Sequence, residues 1–168
     1  MTIYAMLDSP LGELLLVGEE SETATGGTAL SSLSVPGQKG GVTVQDGWHE
    51  DTDAFAEIIR RLGSYFDGEL TRFDIEYTTG GTPFQQQVWR VLEGIDYGTT
   101  LTYAQVADRL GIPRSASRAV GAAIGANPLL VVRPCHRVLG SSGALTGYAG
   151  GLDRKRQLLD LENARRAA

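Results

Sequence analysis

The residues best suited to chemistry lie around the only cysteine of the chain. Cys135 follows Pro134 and precedes His136 and Arg137. Neighbouring positive charges lower the pKa of a thiol, and the thiolate is the nucleophilic form. His136 is a candidate for the base that removes the thiol proton. Because a lone cysteine is more often a small buried hydrophobic residue, these residues alone leave a reactive and a structural cysteine both open.

Adjacency does not guarantee contact between this thiol and this imidazole. We expect the segment around Cys135 to be extended, and consecutive side chains of an extended strand point to opposite faces. A water molecule between Cys135 and His136 would connect them. An imidazole base also needs an acceptor that orients it, and Glu162, on the last predicted helix, is a candidate if that helix folds back.

Composition limits the classes of protein that the chain can represent. Its 168 residues are 42% hydrophobic and 21% charged, which is typical of a globular protein with one domain or two small ones. No apolar run approaches the roughly 20 residues of a membrane span, and we recognise no secretory signal. One cysteine excludes an intramolecular disulfide, and with only two histidines we expect no metal site. We therefore expect a cytoplasmic protein that makes no use of a membrane.

Charge divides the chain into two halves. Residues 1–79 carry 4 Lys and Arg against 14 Asp and Glu, whereas residues 80–168 carry 11 against 6. A polyanion such as DNA would therefore meet the second half. We predict an N-terminal α/β domain over residues 1–79, with a loop rich in Gly, Ser and acidic residues within residues 19–50. Residues 80–168 form the predicted C-terminal domain.

The first half predicts a small α/β unit. Apolar runs on both sides of a Ser-Pro-Leu-Gly turn predict a β-hairpin over residues 2–17. Residues 28–35 suggest a third strand, and residues 36–47 a mobile loop. Helical spacing of apolar residues predicts a helix over residues 53–66. Alternation predicts a short strand over residues 72–77.

The second half is mostly helical. Its predicted helices begin at residues whose side chains can accept a hydrogen bond from the first turn, and two of them carry Gln three positions later. Two short helices around Gly111 suggest a helix-turn-helix, with the second running to about Ala126. The last predicted helix extends to about Arg165. The predicted N-caps are Thr82, Thr102, Ser115 and Asp153.

The second helix of this pair is unusually thin. Seven of the eleven residues at positions 116–126 are Ala or Gly. Each Gly lowers helix stability by about 1 kcal/mol relative to Ala, so its presence needs a reason. The two candidates are close packing on another helix and close approach to a narrow surface such as the minor groove of DNA, about 6 Å wide. Arg118 is the one long cation in this segment.

The motif Pro134-Cys135-His136-Arg137-Val138 resembles the active-site signature of the O6-alkylguanine-DNA alkyltransferases. Residues 1–79 are more loosely similar to the N-terminal domain of that family. The resemblance implies a ribonuclease H-like α/β domain followed by a mostly α domain with a winged helix-turn-helix-like DNA-binding motif. Further motifs of the family follow in order across roughly residues 80–165: Phe84-Gln85-Gln86-Gln87-Val88-Trp89, Tyr97-Gly98, Thr102-Tyr103, Ser117-Arg118-Ala119-Val120-Gly121, Asn127-Pro128, Ser142-Gly143, Gly147-Tyr148-Ala149-Gly150-Gly151, Lys155, Leu158, Leu159 and Glu162.

The resemblance implies repair in which the protein is consumed. The alkyl group of O6-alkylguanine, and also of O4-alkylthymine, moves irreversibly to Cys135, one per molecule and without a cofactor. His136 takes the thiol proton through a water, and Glu162 stabilises the resulting imidazolium. Tyr103 donates a hydrogen bond to the flipped base and crowds the target phosphate. Tyr148, Ala149, Val138 and Asn127 are the implied substrate-binding residues; the Ala149 N–H faces O6, Tyr148 lines the alkyl pocket, and Asn127 ties the recognition helix to the active-site strand.

The implied partner is double-stranded DNA bound through its minor groove. Arg118 fills the space that the flipped base leaves. Ala119, Ala122, Ser142 and Tyr103 are the other implied DNA-binding residues. We expect a monomer, with cooperative binding on DNA left open.

Three departures from the family pattern concern this chain in particular. Arg133 stands where much of the family has Val or Ile; it is a candidate for an ion pair, for DNA contact or for stabilising the thiolate. Leu130 stands where some members have Pro, which leaves the range of adducts open. The zinc ligands of some relatives are absent, so we expect no zinc.

Two other functions compete with this hypothesis. A helix-turn-helix protein that binds damaged or regulatory DNA without reacting is the main alternative, and the combination of Cys135, His136 and Glu162 argues against it. A cysteine hydrolase would need an oxyanion hole and a conventional dyad, for which the sequence offers no second suitable histidine.

Overall fold

The structure is a computed structural model that describes residues 1–78 and 80–163. The chain divides into two compact units, Met1–Thr79 and Gly80–Ala168. In the described part of the chain, no helix is long and apolar enough to cross a membrane. Over the same residues, no group of three or more His, Cys, Asp and Glu side chains is arranged to hold a metal ion.

A four-stranded sheet forms the first unit together with one helix. Its strands are β1 (Thr2–Ser9), β2 (Gly12–Glu20), β3 (Thr28–Ser34) and β4 (His49–Glu50), in the order β3-β2-β1-β4. The hairpin and the third strand are as the sequence predicts. The short β4, which pairs in parallel with β1, was not predicted, because two residues carry no alternation that could reveal a strand. Residues 36–47 form neither a helix nor a strand.

The helix of the first unit, α1 (Ala56–Phe66), follows a 3₁₀ turn at Thr52–Phe55. Together they match the predicted helix. The predicted strand over residues 72–77 is wrong: only Tyr77 bridges to β3, and Asp74 has φ of 48°. That left-handed conformation interrupts an extended strand. Arg61 holds the segment instead, because its guanidinium donates to the carbonyl oxygens of Phe73 and Asp74 at 2.5 and 2.6 Å.

The second unit is mostly helical. The capping boxes predicted at Thr82 and Thr102 are both present, and Gly111 ends the shorter helix in the left-handed conformation that favours glycine. Its elements are α2 (Pro83–Glu93), β5 (Leu101–Thr102), α3 (Tyr103–Leu110), α4 (Ser117–Gly125), β6 (Val138–Leu139) and α5 (Leu152–Leu161). Helices α2, α3 and α4 pack against one another. The two short strands β5 and β6 pair in parallel.

Two helix starts differ from prediction. Ser115 does not cap α4, because a 3₁₀ turn at Arg114–Ala116 precedes the helix and Ala116 is its N-cap residue. Asp153 does not cap α5, which begins at Leu152 after Gly151; Asp153 lies within the first turn, where a carboxylate still interacts favourably with the helix dipole. The structure ends α5 at Leu161, and the part of its predicted extension at residues 164 and 165 lies outside the described residues.

Candidate active site and nucleic-acid interface

A buried turn rather than an extended strand presents the cysteine. Cys135–Arg137 form a 3₁₀ turn, so the expectation of opposite-facing neighbours is wrong. The Cys135 amide donates to the carbonyl of Arg133 at 2.7 Å, and the Asn127 side chain donates to the same carbonyl at 3.1 Å. Val131 has φ of 70°, a costly conformation for a β-branched residue that surrounding structure must hold in place. The thiol therefore sits on a backbone that is tightly fixed.

Burial controls the resting state of the thiol. Cys135 is 4% exposed. Burial raises the pKa of its thiol to about 11, against the opposing effects of a hydrogen bond with Asn127 and of the positive charges of Lys155 and Arg133. The cysteine is thus a neutral thiol at neutral pH, and a reaction through the thiolate needs a base.

The histidine next to the cysteine is held by the predicted glutamate. His136 Nε2 lies 2.8 Å from Glu162 Oε2, and both side chains are fully buried. Burial alone would raise the pKa of Glu162, but hydrogen bonds and charge from His136 and Arg137 outweigh it and hold the pKa at about 2. An ionised carboxylate only accepts hydrogen bonds, so the imidazole proton lies on Nε2.

The other imidazole nitrogen is the available acceptor. Burial lowers the pKa of His136 despite the opposing effect of Glu162, so the imidazole is neutral at rest. Nδ1 is buried and has no hydrogen-bond partner among the described residues. Buried polar atoms are normally paired, and exceptions often mark function. Nδ1 of His136 can therefore take a proton while Nε2 stays bonded to the carboxylate.

Arg137, expected from the sequence only as a positive charge near the thiol, is bonded to Glu162 instead. Its guanidinium donates to both oxygens of Glu162, at 2.8 and 3.0 Å, and to the carbonyl of Ile95 at 2.6 Å. It also lies over the ring of Tyr97, 5.7 Å from the ring centre. The position of Arg137 directly after His136 was the only hint in the sequence that it belongs to the site. Its partner Glu162 comes from the end of α5, which the sequence does not place beside it.

Lys155 is a second buried cation near the thiol. It is 0% exposed, and its Nζ donates to the carbonyl oxygens of Thr146 and Gly147 at 2.7 and 3.1 Å. Burial lowers the pKa of Lys155 to about 8. These bonds fix the segment that carries Tyr148 and Ala149, both half-buried. Burial raises the pKa of the Tyr148 hydroxyl well above its ordinary value, so that hydroxyl remains protonated.

An open groove of about 690 Å³ lies along the helix pair. It brings together three predicted DNA-binding side chains, Tyr103, Arg118 and Ser142. The Tyr103 hydroxyl donates to the carbonyl of Thr146 at 3.2 Å, and burial raises the pKa of Tyr103. The other residues that line the groove are Thr102, Ala104, Gln105, Arg114, Ser117, Gly121 and Ser141.

Close packing on another helix, one of the two explanations for the thin helix, is present on one face of α4. Ala123 is buried, and its carbonyl accepts a hydrogen bond from the Trp89 indole of α2 at 2.9 Å, so one face packs closely on a helix. Arg118, Ala119 and Ala122 are exposed on the other face. Of the remaining predicted substrate-binding residues, Val138 is buried in β6 and Asn127 braces the cysteine turn.

The fold and the site together define a two-unit protein whose second unit combines a helix-turn-helix with a buried cysteine, histidine and glutamate. The family model described as the ribonuclease-like domain of 6-O-methylguanine DNA methyltransferase matches residues 2–78, and the model of its DNA-binding domain matches residues 83–164. The chain belongs to the 6-O-methylguanine DNA methyltransferase family.

Individual relatives agree with this assignment. The methylated-DNA--protein-cysteine methyltransferase of Mycolicibacterium paratuberculosis is 48% identical over 96% of this chain and 93% of its own length. The protein of that name from Mycobacterium tuberculosis is 45% identical over 100% and 96%. A crystal structure of Mycobacterium tuberculosis OGT in complex with DNA superposes with a TM-score of 0.85 at 46% identity, covering 96% of this chain and 92% of that one.

Proposed function

We propose that this protein repairs DNA by moving the alkyl group of O6-alkylguanine, and also of O4-alkylthymine, irreversibly to Cys135. The observation that carries the proposal is the histidine that follows the only cysteine: its Nδ1 has no hydrogen-bond partner among the described residues, and its Nε2 is bonded to the ionised Glu162. Binding a lesion without reaction requires no acceptor for a thiol proton. The names of the relatives support the same reaction.

The proposed reaction begins with proton transfer. A bridging water carries the Cys135 proton to Nδ1 of His136, and the imidazolium that forms is stabilised by Glu162 through Nε2. The pKa of the buried thiol, about 11, explains why this base is needed. Arg137 keeps Glu162 ionised, so the carboxylate is ready to compensate the new charge.

The transfer step then forms one bond and breaks another. Sulfur attacks the alkyl carbon, the sulfur–carbon bond forms, and the carbon–O6 bond breaks with its electron pair passing to the guanine. The Tyr103 hydroxyl turns from the Thr146 carbonyl to donate a hydrogen bond to the base, which helps the base to leave. The proton held by His136 finally balances the charge on the guanine. The Ala149 N–H faces O6. Since no step restores the thiol, each molecule reacts once and needs no cofactor.

The groove accounts for access to the base. The reacting atom lies inside the stack of duplex DNA, so the nucleotide must be turned out before the thiol can reach it. We propose that the exposed face of α4 enters the minor groove, where Ala119 and Ala122 permit close approach. Arg118 fills the space left in the stack. Ser142 and Tyr103, which line the groove on the protein, contact the DNA backbone.

The remaining expectations complete the proposal. Residues 1–79 and 80–168 act as separate domains, with DNA binding and chemistry in the second. The protein is a cytoplasmic monomer, and a binding isotherm on long duplex measures whether its binding is cooperative.

Intact-protein mass spectrometry tests the proposal directly. Purified protein is mixed with excess duplex that carries O6-methylguanine, with Cys135→Ala as the control. We expect a gain of one methyl group per molecule, located in the Cys135 peptide and absent from the control. Tight binding of the duplex without a mass gain would identify a non-reactive lesion binder instead.

A further inference from the structure

A buried cation lies directly before the Pro-Cys pair of the active-site turn. Arg133 is 4% exposed, its guanidinium carbon lies 4.7 Å from the centre of the Trp89 ring, and its Nε donates to Glu93 Oε1 at 3.3 Å. Of the three roles that the sequence leaves open, the ion pair is present. Burial removes the side chain from the surface that DNA would contact. The remaining role, an effect on the nucleophile, depends on what else the guanidinium touches.

The guanidinium also touches Asn127, the side chain that braces the cysteine turn. Arg133 Nη1 lies 3.4 Å from Asn127 Oδ1, which also accepts the Leu129 N–H at 3.0 Å. Asn127 Nδ2 donates to the carbonyl oxygens of Leu129 and Arg133 at 3.3 and 3.1 Å. If the Asn127 amide were turned over, its oxygen would face the two carbonyl oxygens of Leu129 and Arg133. Its nitrogen would face the two donors, the Leu129 N–H and Arg133 Nη1. The guanidinium therefore helps to fix which end of the amide faces the turn.

We propose that Arg133 is a positioning residue for Cys135: by holding the Asn127 amide and placing a buried positive charge behind the turn, it favours loss of the thiol proton during alkyl transfer. This inference rests on the proposed function. Arg133 does not touch the substrate; it acts through Asn127, which hydrogen-bonds Cys135. A hydrophobic side chain at position 133 could provide neither the second donor to Asn127 nor the charge.

The electrostatic surroundings support a net effect of this charge. Glu93, the acidic partner, is 35% exposed, so water screens it more strongly than it screens the buried guanidinium. Arginine stays protonated throughout the working range of pH, so its influence on the thiol does not itself titrate. Removing it should shift the pH profile of transfer without adding a new inflection. The other titratable and charged groups around the thiol in the described part of the chain are Lys155 on α5, Tyr148 on the loop before α5, Tyr103 on α3, and His136 with Glu162 and Arg137.

A purely structural role is the competing explanation. Arg133 contacts Trp89, whose indole N–H donates to the Ala123 carbonyl of α4, and it pairs with Glu93. The side chain could therefore serve only as a brace between the active-site turn and α2. A brace would be weakened by losing either member of the ion pair, whereas a charge acting on the thiol depends on Arg133 alone.

Single-turnover kinetics separate the two explanations. The rate constant of methyl transfer is measured at saturating O6-methylguanine duplex from neutral to alkaline pH, with the dissociation constant of the duplex determined separately. We expect Arg133→Val to slow transfer about tenfold at neutral pH and to move the profile upward by about one pH unit, which is within the effect of a nearby charge. Affinity for the duplex stays unchanged. Arg133→Lys restores part of the rate, since it keeps the charge but lacks the planar fork.

Glu93→Gln is the matched control because it breaks the ion pair and leaves the cation in place. We expect its rate to equal or exceed that of the wild type. A Glu93→Gln protein as slow as Arg133→Val would overturn the proposal in favour of a brace, and so would unchanged rates in Arg133→Val and Arg133→Lys. If thermal melting shows that Arg133→Val does not fold, the Lys and Glu93→Gln proteins decide. A wild type that transfers no methyl group would instead refute the proposed function.

Discussion

Two carboxylate–guanidinium pairs of similar length lie in opposite surroundings within the second unit. Glu162 and Arg137 approach to 2.8 Å with side chains 0% and 8% exposed. Asp108 and Arg114 approach to 2.6 Å with side chains 49% and 66% exposed. The same chemical pair is thus built once inside the active site and once beside the open groove that Arg114 lines.

The difference shows how the proposed chemistry and the proposed DNA binding can be placed in different surroundings within one unit. Water and salt screen the exposed pair, so each partner keeps most of its hydration and the pair adds little stability. The buried pair has lost that hydration, and neither partner can be removed without leaving an uncompensated charge. We therefore expect single substitutions at the buried cluster to have large effects on stability and transfer. Substitutions at the groove should have smaller effects, mainly on DNA binding.

Glu162→Gln provides the largest expected effect. The amide keeps only one of the two acceptor oxygens that His136 and Arg137 use, and the buried guanidinium loses its counter-charge. We expect the free energy of unfolding to fall by about 3–5 kcal/mol, measured by denaturant titration at neutral pH, and methyl transfer to be nearly abolished. A loss below about 1 kcal/mol, the size expected for an exposed pair, would remove the distinction between the two sites.

Acid titration gives this prediction an independent signature. The pKa of Glu162 is depressed from 4.5 to about 2 in the folded protein, so between these values the unfolded chain binds more protons. The contribution of the carboxylate is therefore complete above pH 4.5 and is lost as pH falls toward 2. We expect the wild type to show this loss and Glu162→Gln to lack it. Parallel curves for the two proteins would contradict the pairing.

Methylation of Cys135 is the second test of the buried region. The thiol is 4% exposed on a fixed turn, so an added methyl group has little room. Overpacking of this kind lowers stability by about 1–3 kcal/mol. We expect a lower melting temperature after reaction with methylated duplex than after incubation with unmodified duplex. Coincident melting curves would mean that the pocket accepts the alkyl group without strain.

Arg118→Ala tests the groove. If Arg118 fills the space left by the flipped base, its loss penalises only substrates that must be unstacked, a cost of a few kcal/mol. We expect repair of duplex DNA to slow about tenfold while reaction with free O6-benzylguanine stays nearly unchanged. Arg156→Ala, which removes an exposed charge from α5, is the control. Equal losses on both substrates would exclude the proposed role of Arg118.

Local signals explain why so many elements could be predicted. Thr82 and Gln85, like Thr102 and Gln105, form capping boxes whose members lie within one turn, so their bonds depend on residues that are close in sequence. Ser115 lacks such a partner, and the 3₁₀ turn takes its place. Regular elements with local caps were therefore predicted well, whereas strands of two residues and segments shaped by distant side chains were not.

The candidate site likewise contains residues that the sequence could predict and contacts that it could not. Sequence could identify Cys135 and His136 because they are adjacent. It offered Glu162 as a candidate acceptor on the last helix, and the family resemblance gave that residue its role. It could not give the turn that replaces the expected strand, because an apolar run such as residues 129–132 favours an extended conformation as readily as a buried loop. Nor could it give Arg137 its partner, which depends on how α5 returns to the cysteine turn. The contacts of Glu162 with His136 and Arg137 join segments that are distant in sequence, and such contacts are the part of the site that the sequence does not predict.

Asp108→Asn is the exposed counterpart of Glu162→Gln and has the smallest expected effect. The substitution releases Arg114 from its bidentate pair and removes one negative charge beside the groove. Because the pair is exposed, we expect the free energy of unfolding to change little. Affinity for unmodified duplex should rise about threefold at low salt, and the gain should vanish at high salt as the added charge is screened.

Asp153→Asn is the control for a general charge effect, because it changes the net charge of the protein equally from the first turn of α5. An affinity gain that persists at high salt would mean that Arg114 makes a specific contact rather than an electrostatic one, and that the groove relies on fixed geometry as the buried cluster does.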